Sequence, residues 1–346
     1  MAISNDLLSS TLYSIRDSEV DELYKKNAFL DMAKKKGGIE YEDGGIKIQR
    51  PLSLAEHSTI TQLATGYEPI SLAVQDVLRP AVYEWSDFTA PIVITQKEEL
   101  ENSGEKAIVK ILEARMRSVM QMLRKELNKQ ILIGNSAILS SMNTLNGSAS
   151  ATGFFEADDV GTQGNSVGGV SKATFAATTG WQNNAADLGA NFGTTGIVAM
   201  QRESIRCSNV APMGAIDLVL LSEQVMANYR RSLFQQERYI NESMLDAGRM
   251  QLAFGGAVVE SDLEFNGIQV ASAGLDGLAP GNYDLAGYML NFDAIKMIMH
   301  KDADFAVSPF EHISGTTARA AQLYVKCQLI ADHLGSNSIL VRGTTF

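Results

Sequence analysis

Histidines and paired acidic residues are the side chains of this sequence that could carry out acid–base or metal chemistry. The four histidines are His57, His300, His312 and His333. They are scattered, and none has the close spacing to cysteine or glutamate that zinc sites use. Glu98-Glu99 and Asp158-Asp159 are neighbours in sequence, whereas acid–base catalysis needs carboxyl groups that converge on one cleft. Both patterns favour solvated surface over a reactive centre.

The stretch from Gly161 to Gly169 is rich in glycine and could in principle surround a phosphate group. No strand pattern precedes it, no Lys-Ser or Lys-Thr pair follows, and no acidic residue stands where a ribose would need one. The chain also has no Gly-x-Ser-x-Gly motif and no nucleophile set beside a histidine. We therefore predict no catalytic residue, no cofactor and no metal, and we expect a protein that is not an enzyme.

Composition limits the classes of partner. The chain has 346 residues, of which 45% are hydrophobic, and its net charge is −11. An acidic surface does not suit the gripping of nucleic acid, because phosphate binding needs clustered lysine and arginine. Cys207 and Cys327 are far apart and fit a reducing compartment. No secretory signal and no apolar run of roughly 20 residues is visible, so we expect a soluble, cytosolic protein.

The most regular element of the sequence is a long amphipathic helix from Asn102 to about Ile133. Asn102 and Glu105 have the spacing of a capping box, and Gly134 supplies a stop. Apolar residues recur in steps of three and four, which places them on one stripe. They are Ile108, Leu112, Met116, Val119, Leu123, Leu127 and Ile131.

The segment from Ile39 to Thr95 has the alternating pattern of strands and contains four of the seven prolines. The polar stretch Ser53–Gly66 suits the tip of a hairpin. We expect a projecting two-stranded arm. Because a lone hairpin is marginal in water, we further expect a neighbouring molecule to support it.

The remaining chain has weaker patterns. The stretch Gly134–Gly196 predicts loops and small strands. Later elements are helices at 196–208 and 222–234, strands at 216–221, 253–260, 265–271 and 338–342, a partly helical piece at 289–300, and an apolar stretch at 322–330.

The order of these parts resembles the major capsid proteins of tailed bacteriophages with the Hong Kong 97-type fold. The resemblance lies in Ala81–Phe88 on the return strand of the hairpin and in Asn102-Ser-Gly104 at the start of the long helix. Met289–Lys296 and the ending Ser338–Phe346 resemble two later segments of the family. No single motif is diagnostic, and Gly134–Gly214 matches least.

The resemblance implies an α+β fold with an N-terminal arm, an extended β-hairpin loop, a peripheral domain with a long spine helix, and an axial domain. The implied divisions are 1–36 for the arm, 37–96 for the extended loop, 97–134 for the spine helix, 135–285 mainly for the axial domain, and 286–346 for the return through the peripheral domain and the closing strand.

The resemblance also implies a function. Copies of the chain would form hexamers and pentamers of an icosahedral shell, which would enclose double-stranded DNA without sequence-specific binding and mature from a procapsid. The chain has no long N-terminal extension that could act as a scaffold, so we expect a separate scaffold protein. A portal is a further implied partner, a decoration protein is a candidate, and no membrane is involved. The location would be the virion capsid, assembled in the cytoplasm of a bacterial host.

Contacts between subunits are expected from aromatic and charged residues of the extended loop, because buried aromatic side chains carry most of the energy of an interface. The candidates are Tyr83, Trp85, Phe88, Arg50, Glu56, Glu68 and Arg79. Each aromatic residue could instead pack locally within the hairpin.

Some family members join their subunits through an isopeptide bond between an extended-loop lysine and a C-terminal asparagine. Here Lys47 is the only lysine between Gly37 and Gln96, and Glu311–Gly335 contains no asparagine. We therefore predict a shell without covalent cross-links.

Two alternatives remain open from the sequence. An encapsulin-like nanocompartment shell would share the fold and enclose cargo enzymes in place of DNA. A cytosolic α+β enzyme with an unrecognised cleft would instead form a small discrete oligomer.

Overall fold

The computed structural model describes residues 27–54, 77–101, 105–134, 139–143, 153–175, 180–209, 214–235, 243–244 and 250–346, with residues 62 and 66 and scattered residues between 10 and 23. The helices are α1 (Ala28–Lys36), α2 (Gln96–Glu101), α3 (Glu105–Leu132), α4 (Phe192–Asn209) and α5 (Glu223–Gln235). The strands are β1 (Ile39–Glu42), β2 (Ile48–Ser53), β3 (Leu78–Tyr83), β4 (Ser86–Thr95), β5 (Ser141–Asn143), β6 (Gly153–Phe155), β7 (Ser166–Val167), β8 (Val170–Ser171), β9 (Asn184–Asp187), β10 (Leu218–Leu221), β11 (Ser243–Met244), β12 (Met250–Phe254), β13 (Ala257–Ser261), β14 (Gln269–Ser272), β15 (Gly281–Leu290), β16 (Ile295–His300), β17 (Ala306–Val307), β18 (Glu311–His312), β19 (Ala318–Ala331) and β20 (Ser338–Val341).

Two sheets organise the described part of the chain. In the smaller sheet, β1, β16, β19 and β17 lie side by side, and β4 and β18 also pair with β19. The larger sheet has the order β11-β12-β13-β10-β15-β20-β9, with β14 on β15. Strands β2 and β3 pair only with each other, as a separate two-stranded ribbon.

Helix α3 confirms the predicted long helix. Of its apolar stripe, Leu112, Met116, Leu127 and Ile131 are almost fully buried. The helix ends at Gly134, which has a positive φ of 70° and lies so close to Ser141 that a Cβ atom would collide with the serine side chain. The proposed cap at Asn102 lies outside the described residues.

Helix α1, at the end of the predicted N-terminal arm, packs against the rest of its own subunit. Asn27 caps the helix by accepting a hydrogen bond of 3.2 Å from the Leu30 amide. Phe29 is buried, and its ring centroid lies 5.4 Å from that of Phe292. The apolar side of this helix therefore belongs to the core of its own subunit, and Gly37 ends it with a positive φ.

Three other sequence-based expectations need correction. Residues 289–300 are not helical: β15 ends at Leu290, the Asn291 side chain accepts from the Asp293 amide in a tight turn, and β16 follows. The single strand expected at 253–260 is the hairpin β12–β13, turned by Gly255-Gly256 with positive φ at both residues. The strand expected at 265–271 begins only at β14, after a 3₁₀ turn at Leu263–Phe265.

Other predicted elements are present with small shifts. Helix α5 and strands β10 and β20 occur where expected, and α4 begins four residues before its predicted start. The stretch predicted at 322–330 lies within β19.

Each of the two sheets contains strands from more than one of the predicted domains. The boundary at 285/286 falls within β15, and β20 joins the larger sheet beside β15 and β9, whereas β16 and β19 belong to the smaller one. Likewise, β1 and β4 of the predicted extended loop belong to the smaller sheet. The division into arm, loop and domains therefore stays a prediction, and the separate ribbon is confined to β2 and β3.

Candidate assembly interface

The ribbon has two faces of different character. Its inner face is buried against the rest of the subunit and contains Ile48, Leu52, Ala81 and Tyr83. Its outer face consists of Gln49, Pro51, Ser53, Leu78, Pro80 and Val82. The chain thus buries the inner apolar residues itself, and support of the hairpin by a neighbouring molecule stays a prediction.

Tyr83 fixes the ribbon to the smaller sheet. Its hydroxyl group donates a hydrogen bond of 3.1 Å to the main-chain oxygen of Ala331 at the end of β19. Its ring meets Phe154 edge-on, with centroids 6.4 Å apart, and burial raises the pKa of the Tyr83 phenol. With only 3% of its surface exposed, Tyr83 packs almost entirely within its own subunit, and its contact with a neighbouring subunit stays a prediction.

The loop around Gly168 packs against the inner face of the ribbon. The Val82 amide donates a hydrogen bond of 2.9 Å to the oxygen of Gly168, which connects the strands β7 and β8. Gly168 has a φ of 57°, and a Cβ atom there would lie 2.8 Å from the Cβ atom of Ala81. Glycine is therefore required both by the backbone and by the close approach of the ribbon.

A cluster of charged side chains joins the ribbon to the smaller sheet. Arg50 of β2 contacts Glu40 of β1 and lies 3.8 Å from a carboxylate oxygen of Glu42. Lys296 of β16 lies 2.7 Å from Glu40 and 3.8 Å from Asp332. Arg50, named above as an inter-subunit contact, is thus engaged within its own chain.

Burial and pairing compete in this cluster. Burial opposes ionisation of Glu40, but hydrogen bonds from Lys296 and Arg50 outweigh it and hold the pKa of Glu40 below its usual value. Burial likewise opposes the charge of Arg50, yet the bond to Glu40 raises the pKa of Arg50 overall. At Asp332 burial prevails and raises the pKa.

Trp85 and Phe88 are half-buried in the single subunit. The indole N–H of Trp85 donates a hydrogen bond of 3.0 Å to the oxygen of Gly45, and its ring lies between His300 and the ammonium group of Lys326. Phe88 belongs to the side of β4 that faces the core, opposite Val325. Both side chains are partly exposed, so their contacts with a neighbouring subunit stay a prediction.

Three of the predicted contact residues remain, and the structure describes one of them. Arg79 is exposed on β3, and its guanidinium carbon lies 5.4 Å from the centre of the Phe175 ring. Glu56 and Glu68 lie outside the described residues. The structure therefore brings Tyr83 and Arg50 together at the root of the ribbon, whereas Arg79, opposite Leu52 on the same side of the ribbon, is exposed.

Sequence reasoning missed a buried polar network next to the ribbon. Lys172 is fully buried, with its ammonium group 3.1 Å from Glu156 and 3.2 Å from the side-chain oxygen of Asn183. Burial lowers the pKa of Lys172 to about 8. Glu156 also accepts hydrogen bonds from the amides of Gly164 and Asn165. The sequence contained one indication of this network, since Lys172 is the only basic residue between Gly134 and Gly196.

Other kinds of site find no support in the described parts of the chain. Within them, no group of three or more histidine, cysteine or acidic side chains is arranged to hold a metal ion. No helix among the described residues is long and apolar enough to cross a membrane.

Comparison with known proteins finds similar structures but no matching family model or curated sequence. No family model and no curated protein sequence matches the chain. The capsid asymmetric unit of cyanophage A-1(L) matches with a TM-score of 0.53 and 14% identity, over 88% of this chain and 90% of that one. The capsid of an empty GTA particle matches with a TM-score of 0.52 and 10% identity, over 90% and 89%.

A third capsid agrees with these two. The capsid of Myoviridae phage XM1 matches with a TM-score of 0.50 and 10% identity, over 90% of this chain and 92% of the other. The match extends over nearly the whole of both chains, so it concerns the complete architecture. This protein has the mixed α+β, Hong Kong 97-type fold of phage capsid subunits.

Proposed function

We propose that this chain is the major capsid protein of a tailed bacteriophage. Copies of it assemble into hexamers and pentamers, and these capsomers form an icosahedral shell around a double-stranded DNA genome. The observation that carries the proposal is the similarity to capsid subunits over about nine-tenths of the chain.

The charge of the chain supports this role. A net charge of −11 suits a wall past which DNA moves without adhering, since binding to phosphate depends on clustered basic residues. DNA is then enclosed without recognition of its sequence. A separate scaffold protein, a portal and a decoration protein are the partners this role implies.

The pairing of charged side chains within the fold also agrees with a structural role without catalysis. The buried Lys172 is paired with Glu156 within the fold, and the partly buried Arg50 is paired with Glu40. Paired, buried charges of this kind specify and rigidify a structure. The protein acts in the virion capsid, after assembly in the cytoplasm of the bacterial host.

Removal of the hairpin tip tests the proposal. The deletion covers Ser53–Gly66, most of which lies outside the described residues. We expect the wild-type chain, expressed with its scaffold, to give closed particles that protect DNA from nuclease after packaging. The shortened chain should remain soluble as subunits or small oligomers. Normal closed shells from the shortened chain would refute the role of the loop, and a wild-type chain that never forms particles would refute the capsid function.

A further inference from the structure

Three buried side chains with complementary chemistry meet in the polar network beside the ribbon: Lys172, Glu156 and Asn183. Lys172 and Asn183 are fully buried, and Glu156 is 9% exposed. The ammonium nitrogen of Lys172, Nζ, lies 3.1 Å from Oε1 of Glu156 and 3.2 Å from Oδ1 of Asn183. An amine, a carboxylate and a carboxamide are thus in mutual contact where bulk water has little access. These are the groups that formation of an amide bond between two side chains requires.

Burial favours the reactive form of the lysine. A protonated amine has no lone pair with which to attack a carbonyl carbon. Burial lowers the pKa of Lys172 from 10.5 to about 8, although the negative charges of Glu156 and Asp158 oppose this shift. The neutral amine is therefore more abundant near pH 8 than it is for a lysine in water. Oε1 of Glu156, at 3.1 Å, is within reach of the proton that the amine must lose.

The carboxamide of Asn183 is held in one orientation. Its Oδ1 accepts a hydrogen bond of 3.0 Å from the Glu156 amide, and this donor stabilises the negative charge that Oδ1 acquires when its carbon is attacked. Its Nδ2 donates to the main-chain oxygens of Glu156, at 2.9 Å, and Asn184, at 3.0 Å. The Gln163 side chain makes hydrogen bonds of 3.2 and 2.7 Å with the main chain of Asn183. Oδ1 and Nδ2 cannot exchange places without the loss of these bonds.

The two atoms that would form the bond are close together. A carbonyl bond is about 1.2 Å long, so Nζ of Lys172 lies within about 4.4 Å of Cγ of Asn183. Attack needs a separation of about 3–3.5 Å, with the nitrogen above the plane of the amide. Rotation about the terminal bonds of the lysine side chain is enough to cover this difference. Nζ also donates a hydrogen bond to the main-chain oxygen of Phe154, which keeps it near Asn183.

We propose that Lys172 and Asn183 form an isopeptide bond within the chain, with Glu156 as the catalytic acid and base. The Lys172 ammonium group gives one proton to Glu156, and the neutral Nζ attacks Cγ of Asn183. Glu156 then gives its proton to Nδ2 and takes another from Nζ. The Cγ–Nδ2 bond breaks, and ammonia leaves with the last proton as ammonium. The products are one Nζ–Cγ amide bond and one ammonium ion, without oxidation or reduction.

The bond connects two segments of one subunit. Lys172 directly follows β8, and Asn183 directly precedes β9. A covalent link between them restricts the unfolded chain, as a disulfide does. Each chain reacts once, so the reaction is not the turnover of a substrate. It needs no second copy, and it leaves the predicted absence of links between subunits unchanged.

Tryptic digestion of the wild-type protein tests the bond. Lys172 is the only lysine or arginine between Lys129 and Arg202. The folded protein is kept for several days at about pH 8, near the pKa of Lys172, and is then denatured and digested. We expect the peptide 130–202 to remain uncut at Lys172, because trypsin does not cleave after an acylated lysine. Its mass should be lower than that of its sequence by one ammonia.

Chymotryptic digestion locates the bond. Phe175 and Trp181 lie between Lys172 and Asn183, so cleavage after either aromatic residue separates the main chain of the two partners. The two fragments should nevertheless stay joined through the side chains of Lys172 and Asn183. Tandem mass spectrometry of the joined fragments identifies the two linked residues.

Variants assign the roles of the side chains. Lys172→Arg keeps the positive charge but lacks the amine, so trypsin should cut at this position and no ammonia should be lost. Glu156→Gln keeps the shape of the side chain without the base, and bond formation should slow by about 100-fold or more. Asp159→Asn is the matched control, because Asp159 instead accepts a hydrogen bond from the Asp276 amide. It should form the bond at the wild-type rate, and near-ultraviolet circular dichroism checks that each variant is folded.

The wild-type result decides the proposal even if a variant fails to fold. Cleavage after Lys172, together with separate chymotryptic fragments of full sequence mass, would overturn it. Loss of ammonia that persists in Lys172→Arg would also overturn it, since another residue would then be the source. Bond formation at the wild-type rate in folded Glu156→Gln would contradict the catalytic role of Glu156. None of these results depends on assembly, so the capsid function is tested separately by the formation of particles.

Discussion

The hydroxyl group of Tyr83 donates a hydrogen bond of 3.1 Å to the main-chain oxygen of Ala331, although the two residues are separated by 248 positions in the sequence. The Ala331 amide in turn lies 3.4 Å from the same phenol oxygen. This link fixes the ribbon at the end of β19, in the smaller sheet. The ribbon is therefore held at its root by its own subunit and presents only its outer face to others.

Loss of the Tyr83 hydroxyl group should destabilise the subunit. In Tyr83→Phe the buried oxygen of Ala331 loses its donor, and we expect the free energy of unfolding to fall by about 1–3 kcal/mol. Urea unfolding of unassembled subunits, followed by tryptophan fluorescence, measures this value. Tyr41→Phe is the control, because the Tyr41 hydroxyl group bonds to Asp304 at the exposed surface. Equal effects of the two substitutions would contradict the anchoring role.

The buried pair of Lys172 and Glu156 should behave as a coupled unit. Lys172→Met leaves the Glu156 carboxylate buried without its counter-charge, and we expect a loss of about 3–5 kcal/mol in stability. Glu156→Gln should also destabilise, and the double variant should cost clearly less than the sum of the two single variants. The measurement is a double-mutant cycle by urea unfolding. Strictly additive effects would contradict a direct interaction.

The long helix and the β-hairpin could be predicted because their signals are local. The stripe from Leu112 to Ile131 and the stop at Gly134 follow from helical periodicity and from the backbone freedom of glycine. The order of elements was enough to identify the Hong Kong 97-type fold.

Other features depend on contacts that no local pattern contains. The burial of Tyr83 depends on Ala331 and Phe154, so sequence alone could not distinguish a subunit anchor from an interface residue. The prediction of a helix at 289–300 failed because Met297, Ile298 and Met299 of β16 are all buried, and a short apolar run does not reveal whether it is helix or strand. The partners of the Lys172 side chain, Glu156 and Asn183, come from two separate segments of the glycine-rich stretch.

The buried thiols should make stability fall at high pH. Burial raises the pKa of the Cys327 thiol from 9.0 to about 12. Above pH 9 the thiol ionises in the unfolded chain while it stays protonated in the folded one, so the unfolded state binds fewer protons and gains stability. Between pH 8 and pH 10, wild type should lose about 1 kcal/mol more than Cys327→Ala. Urea midpoints at several pH values measure the difference, and parallel pH profiles would contradict it.

Assembled particles should contain no covalent links between subunits. Lys47, the only lysine between Gly37 and Gln96, lies 2.9 Å from Glu84 in an exposed ion pair. The stretch Glu311–Gly335 offers no asparagine. On a denaturing, reducing gel of mature particles, this chain should run as a single band near 37.5 kDa, with no multimers of it. A ladder of multimers that resists reduction would contradict this prediction.

Electron microscopy of the purified full-length protein, expressed with and without its neighbouring genes and combined with a measurement of mass in solution, tests the central claim most directly. The account predicts closed icosahedral shells or rings of five and six copies, with uniform shells in the presence of a scaffold protein. A stable monomer or dimer that never assembles under either condition would contradict it.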